Sequence, residues 1–489
     1  MLAGQRFFTK AVVMTESPIA PPAPSSAAGP RSVHVTDVVD VCAFRGLPFI
    51  VSIFTVLALA FDGFDIQAVG FVAPALLGEW GISRAGLGPV LAAGLVGMAL
   101  GSILMGPVGD RRGRRMALIA SMTVIAIGSL LSAVADSPQQ LTIYRFITGV
   151  GLGGSLPNAT ALMVELAPLA VRNLVVSITV VGVPIGGVIG AAVAAQLLPA
   201  LGWRSVFVAG AILPTVLAIA MWLWMPESPR FLARRPGRSG ELARMLNRLG
   251  RTDRFTATDR FVITEPVAHG QREGLRALLS PLYRTDTLLL WLAFFASIFC
   301  VYALFNWLPT VLSGVGLPVT VALRGALVFN LGGVIGALIM ATAMNRFGSR
   351  YVLVTFSLIA TGLMLTLASL SNSFYSTDNL APLLLLMAAA GTTILGMQVG
   401  LYSLAAHAYP TANRASGVGA ALGVGRVGGI LSAFAGGIPT SIGQGVTPFF
   451  AAISVVVLLM AIAVAVFRRH IPPVQSTLNP GERRAMGDA

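Results

Sequence analysis

Charge is scarce in this sequence. Only 11% of its 489 residues are Asp, Glu, Lys or Arg, against roughly 25% in soluble globular chains, and that shortage excludes most soluble folds. Cysteine is scarcer still. Cys42 and Cys300 stand far apart and belong to no C-x-x-C or Cys/His cluster, so neither a disulfide framework nor a zinc site is indicated, and no metal is expected. Acids are the rarer sign, 19 against 33 bases, a surplus that in a soluble chain would point to nucleic acid or an anionic surface. No P-loop is present, which removes the usual signature of ATP use. What the sequence does have is hydrophobicity, 55% of positions, and 54 glycines, a residue more frequent in transmembrane helices than in soluble ones. The chain reads as a membrane protein.

Apolar runs near the ~20 residues needed to cross a bilayer fall at about 47–74, 86–108, 115–135, 139–163, 173–197 and 203–225, then at 287–309, 320–344, 350–370, 381–405, 414–436 and 446–467. The fold class is therefore an all-α polytopic membrane protein of twelve transmembrane helices, six plus six. The domain reading is a tail over 1–45, a six-helix bundle over 46–225, a basic linker over 226–286, a second bundle over 287–468 and a tail over 469–489. Met14 opens MTESP and is an alternative start to Met1.

An even number of spans puts both termini on one side. Arg111, Arg112, Arg114, Arg115, Arg172, Arg346, Arg350, Arg414, Arg468 and Arg469 fall on that side, Arg84, Arg204 and Arg324 on the other, and the linker adds twelve more arginines. By the positive-inside rule both termini are cytoplasmic and the protein sits in the inner cell membrane. The surplus of +14 then reports topology, and no nucleic-acid partner is expected. The halves also repeat. Asp110-Arg111-Arg112-Gly113-Arg114-Arg115 corresponds to Asn345-Arg346-Phe347-Gly348-Ser349-Arg350, and Glu165-x-x-Pro168-x-x-x-Arg172 to His407-x-x-Pro410-x-x-x-Arg414. Parallel six-span repeats pack around a central path and work by alternating access.

GPVGDRRGRR (Gly106 to Arg115) and Arg145-Phe-Ile-Thr-Gly149-Val-Gly151 resemble the loop and fourth-helix signatures of the major facilitator superfamily, and PESPRFL follows the sixth span. Within it the chain is similar to the aromatic acid/proton symporters, on FDGFD (Phe61 to Asp65), NWLPTVL (Asn306 to Leu312) and YPTANRASGVGAALGVGRVGG (Tyr409 to Gly429). The resemblance implies inward, proton-driven transport of an aromatic carboxylate such as a hydroxybenzoate or benzoate, by a monomer in the lipid bilayer, with no cofactor and no enzymatic activity. It also implies a cytoplasmic gate built from Asp110, Arg111, Arg114 and Arg115 with Glu165 and Arg172. His407, which aligns with Glu165, and Arg414, which aligns with Arg172, are their counterparts. Asn345 and Ser349 depart from the loop signature and weaken a symmetric gate. Competing readings are a carrier of another organic anion, a proton-coupled exporter of aromatic compounds, and a non-transporting sensor.

A charge at the bilayer centre costs about 2.5–3.5 kcal/mol on insertion scales, so each one inside a span needs a partner or a purpose. Asp62 and Asp65 share a helix face at i, i+3, and two carboxylates out of water resist joint ionisation, which suits proton uptake and release. Arg145 lies at comparable depth, and a salt bridge to Asp62 or Asp65 is the simplest arrangement. Arg426, among small residues in GVGRVGG, offers a planar fork to a substrate carboxylate or to an acid across the bundle. An aromatic acid needs an apolar slot with a few polar groups; the candidates are Tyr302, Asn306, Trp307, Asn330, Gln398, Tyr402 and Asn158. Gly149-Val-Gly151-Leu-Gly153-Gly154 and Gly423-Val-Gly425-Arg-Val-Gly428 satisfy G-x-G-x-x-G but lie in apolar helical runs rather than at a strand-to-helix turn, so close helix packing and no nucleotide is expected.

Overall fold

A computed structural model describes residues 31–250, 252, 254–263, 278–409, 411–435 and 446–473. Met1 and Met14, most of the segment 1–45, Pro410, part of the linker and the end of the C-terminal tail lie outside the described residues.

Twelve helices of 20 to 34 residues dominate the described chain: span 1 Leu47–Trp80, span 2 Arg84–Arg112, span 3 Arg114–Ala133, span 4 Pro138–Leu166, span 5 Arg172–Leu201, span 6 Arg204–Trp224, span 7 Arg284–Ser313, span 8 Val319–Phe347, span 9 Ser349–Ser369, span 10 Leu380–Ala408, span 11 Thr411–Ala435 and span 12 Thr447–Val466. At about 1.5 Å per residue even the shortest reaches across a hydrocarbon core of about 30 Å, with every mid-helix backbone group bonded within its own helix. Eleven are apolar enough to cross a membrane by length and composition. The exception is span 4, whose run is interrupted by Arg145, Pro157 and Asn158 and which buries a long face against its neighbours.

Glycine sets how closely the helices approach. A methyl on Gly97 or Gly101 of span 2 would run into the Phe146 or Val150 carbonyl of span 4, and one on Gly149 or Gly153 into the Gly94 or Met98 carbonyl of span 2. Spans 8 and 10 repeat this packing, with Gly332 and Gly336 against Ala388 and Thr392, and Gly391 against Phe329. The pairing of second with fourth helix therefore recurs in both halves, as expected of two pseudo-symmetric bundles. Close helix packing also accounts for both glycine-rich motifs: Gly149 and Gly153 face span 2, and Gly425 and Gly428 of span 11 face Ile298 and Phe295 of span 7.

The halves meet along spans 5 and 8, 1 and 7, and 2 and 11, while spans 4 and 10 have no comparable contact among the described residues. Gly70 of span 1 admits the Phe305–Asn306 backbone of span 7, and Gly88 at the start of span 2 admits Phe434 near the end of span 11. These contacts close the end of the bundle remote from the tails. Among the described residues no such glycine contact joins the halves at the tail-bearing end, and spans 4 and 10 stand apart.

At that end the N-terminal segment folds onto the linker. Strand Ser32–His34 pairs in parallel with strand Arg260–Val262, and the amphipathic helix Ser239–Gly250 buries Leu242, Met245, Leu246 and Leu249 in one cluster with Val33, Val35 and Val39. Polarity led the sequence reading to treat both pieces as tail and linker; alternate apolar positions are what let them build a small layer of their own.

Candidate functional site

The in-span charges of the first half sort into a closed pair and an open acid. Arg145 donates from Nη1 to Asp65 Oδ1 at 3.2 Å, from Nη2 to Asp65 Oδ2 at 2.6 Å and from Nη2 to the Asp65 carbonyl at 3.0 Å. Ser129 of span 3 donates to Asp65 Oδ1 at 2.6 Å, and the guanidinium lies 5.7 Å from the Phe207 ring centroid. Both partners are fully buried, and this bidentate geometry is what makes a buried pair tolerable. Asp62, one turn earlier and 3% exposed, rests beside Ser155 of span 4. Its Oδ1 has no hydrogen-bond partner, and the ion pair of Arg145 is with Asp65.

Arg426 reaches across from the second half. Its Nη1 donates to the Met98 carbonyl of span 2 at 2.7 Å, a neutral partner, and it lies within electrostatic reach of Tyr302 and Tyr402. The Tyr302 hydroxyl approaches Met98 Sδ at 3.6 Å. On span 10 Gln398 accepts from Ser297 at 2.6 Å, leaves Nε2 unpartnered and neighbours Tyr402, whose ring meets Phe294 edge-on. Asn306 is 3% exposed, its Nδ2 has no partner, and it lines a cavity between spans 1, 2, 4 and 7 walled also by Ile66, Val69, Val90, Leu91, Leu95, Met98, Leu152 and Arg145. The structure thus gathers Asp62, Tyr302, Asn306, Gln398, Tyr402 and Arg426 around one central region.

Three other candidates face elsewhere. Asn330 of span 8 and Gln67 of span 1 exchange hydrogen bonds, Asn330 Nδ2 to Gln67 Oε1 at 2.8 Å and Gln67 Nε2 to Asn330 Oδ1 at 3.1 Å. Their remaining N–H groups go to the Ala326 and Gly63 carbonyls. Trp307 donates to the Ser432 carbonyl of span 11 at 3.2 Å inside the second bundle. Asn158 spans from the Met105 and Gly154 carbonyls to the Arg114 guanidinium, which places it with the loop residues.

Those residues form one network on the first half. Arg114 pairs with Asp110 and, at 3.7 Å, with Glu165; Glu165 accepts from Ser228; and Glu227 accepts the Arg115 N–H at 3.1 Å and the Ser228 N–H at 2.9 Å. Gly113 makes this possible: its φ of 104° is left-handed territory, and the Glu227 carboxylate occupies the space a Cβ would need. Burial pushes the Glu227 carboxyl above its ordinary range, against the pull of the two N–H donors and of Arg238 and Arg115. Arg172 binds Asp40 and the Ala167 carbonyl, Arg115 stacks near Trp222, and the Arg111 carbonyl accepts from Arg235. His407 and Arg414, on the second half, are exposed.

Gln67, Met98, Ser129, Ser155, Glu227 and Ser228 were missed by sequence reasoning. Gln67 carries a signal, an amide two residues past Asp65 inside an apolar run. Met98 carries none, because it acts through a backbone carbonyl.

The sequence model described as Major Facilitator Superfamily matches residues 55–433. The chain is 35% identical over 432 residues to the gallate transporter of Pseudomonas putida, covering 88% of this chain and 94% of that protein. It is 36% identical over 410 residues to the 4-hydroxybenzoate transporter PcaK of the same organism, covering 84% and 90%. Among solved structures, the inward open conformation of the xylose transporter XylE from E. coli superposes with a TM-score of 0.68 at 16% identity, covering 90% of this chain and 99% of that one.

Proposed function

Because the chain belongs to the major facilitator superfamily, among its aromatic acid transporters, we propose that it is a proton-coupled symporter that carries an aromatic carboxylate such as a hydroxybenzoate inward by alternating access. One observation carries this reading: of the four charges deep in the spans, Asp65 and Arg145 neutralise one another, leaving one acid, Asp62, with an unpartnered oxygen and one base, Arg426, on a backbone carbonyl. An acid and a base with no ion-pair partner, in one central region, serve a proton and a carboxylate respectively.

In the proposed cycle both termini are cytoplasmic, and the tail-bearing end, where no glycine contact joins the halves among the described residues, is the open end and faces inward. With that end closed and the other open, Asp62 takes a proton from outside, which removes an uncompensated buried charge. The substrate carboxylate replaces the Met98 carbonyl on Arg426, whose planar fork matches it. The ring then extends past Tyr302 into the cavity walled by Leu95 and Leu152. Closure along spans 1 and 7 then opens the tail-bearing end, where proton and substrate leave. Asp110, Arg111, Arg114, Arg115, Glu165 and Arg172 close that end against His407 on span 10 and Arg414 on span 11. The protein acts as a monomer in the inner membrane.

The test is uptake of labelled aromatic acids into cells, with and without a protonophore. Accumulation that collapses with the gradient is expected, and Arg426→Lys, which keeps charge but loses the fork, should raise the half-saturating concentration sharply. If no aromatic acid accumulates above the empty vector, the symporter reading fails.

A further inference from the structure

We infer that Asn306 is a specificity-determining residue that reads a hydrogen-bond-accepting substituent, a hydroxyl, on the ring carbon opposite the carboxylate. The inference rests on the symporter reading above and deepens it. Asn306 is 3% exposed, yet its Nδ2 has no hydrogen-bond partner. An amide donor left unmade in a buried site is destabilising, and Asn306 sits on the wall of a cavity that is mostly apolar, with Leu95 and Leu152 among its other walls. The one cation on that wall, Arg145, is consumed by Asp65.

Met98, which lines the same cavity as Asn306, is the residue that Arg426 and Tyr302 both contact. Arg426 is anchored on the carbonyl of Met98, and the Tyr302 hydroxyl is anchored on the Met98 sulfur, so a carboxylate on Arg426 lies at the level of Tyr302. Asn306 follows Tyr302 by four residues on the same helix face, a rise of about 6 Å. That is the length of a benzene ring bearing one substituent at each end. A ring held by its carboxylate and flanked by Leu95 and Leu152 thus presents its far position to the unpaired Nδ2. A site built around such a donor discriminates against a ring that lacks the acceptor more strongly than an apolar slot does.

Competing uptake of labelled 4-hydroxybenzoate, 2-hydroxybenzoate and benzoate tests this in wild type and in Asn306→Ala. The ratio of 4-hydroxybenzoate to benzoate uptake should fall about tenfold in the variant, the scale of one buried hydrogen bond, while the ratio of 2-hydroxybenzoate to benzoate stays put. Asn306→Ser gives a second reading should Asn306→Ala fail to reach the membrane, and it should move the ratio in the same direction. Equal loss of all three acids in both variants, or an unchanged ratio, overturns the assignment of Asn306 alone. A wild type that accumulates none of the three overturns the symporter reading and this inference together.

Discussion

Gln67 and Asn330 fill one another's amides across the junction between the two halves, at 2.8 and 3.1 Å, with both side chains no more than 1% exposed. Gly187 of span 5 leaves the room they occupy. Removing one partner strands the other. Gln67→Leu or Asn330→Leu should each lower stability by about 1–3 kcal/mol, and the double substitution should cost clearly less than the sum. Thermal unfolding of the purified protein in detergent measures all three; strictly additive losses would show that the pair does not act as a unit.

The two aspartates should separate by experiment. Asp65→Asn leaves the Arg145 guanidinium buried without its counter-charge, a loss of about 3–5 kcal/mol, and should appear first as poor stability. Asp62→Asn removes an acid whose Oδ1 has no partner, so the fold should tolerate it, while accumulation should no longer respond to a protonophore. Thermal stability and gradient-dependent uptake, measured on both variants, give the answer. Protonophore-sensitive accumulation in Asp62→Asn would sink the division of labour.

Gly70→Ala places a methyl against the Phe305 carbonyl where spans 1 and 7 meet. Because that contact joins the halves and lies outside either bundle core, the variant should fold and insert normally but close poorly at the end remote from the tails. A thiol placed at Leu91, on the wall of the cavity, should then react faster with a membrane-impermeant reagent applied from outside. Unchanged labelling would remove Gly70 from the closure.

Glu227 predicts a pH effect. Its carboxyl is pushed up by burial in the folded state, so the folded protein holds this proton more tightly than the unfolded chain. Stability therefore declines as pH rises from the ordinary carboxylate range through the raised value. Glu227→Gln keeps an oxygen for the Arg115 and Ser228 N–H groups and removes the titration. Its melting temperature should vary less with pH over that window than the wild type's; an identical slope would mean that Glu227 is not its source.

The in-span charges were legible because the bilayer makes charge rare: Asp62, Asp65, Arg145 and Arg426 stood out from composition alone. Which aspartate Arg145 would choose was not, since residues three apart on one face differ only in which neighbour reaches them; Ser129 and Phe207 of spans 3 and 6 supply that difference. Polar neutral residues were harder to sort. Asn330 and Asn158 look like ligand contacts in the sequence, but an amide in a helix is read only once its cross-helix partner is known, here Gln67 and Arg114. The glycines showed that helices approach closely without showing which ones, because a missing side chain names no partner. The small layer at the tail-bearing end escaped for a different reason: two strands of three residues are too short to show an alternation.

That layer orders the making of the protein. Ser32 and Arg260 are 228 positions apart, and at ~5–20 residues per second of synthesis the second strand leaves the ribosome roughly ten to fifty seconds after the first. In that interval the first strand has no mate, and the six spans between them are made before it can find one. The pairing therefore cannot precede synthesis of all six spans of the first half, and once made it ties the segment before span 1 to the linker that follows span 6.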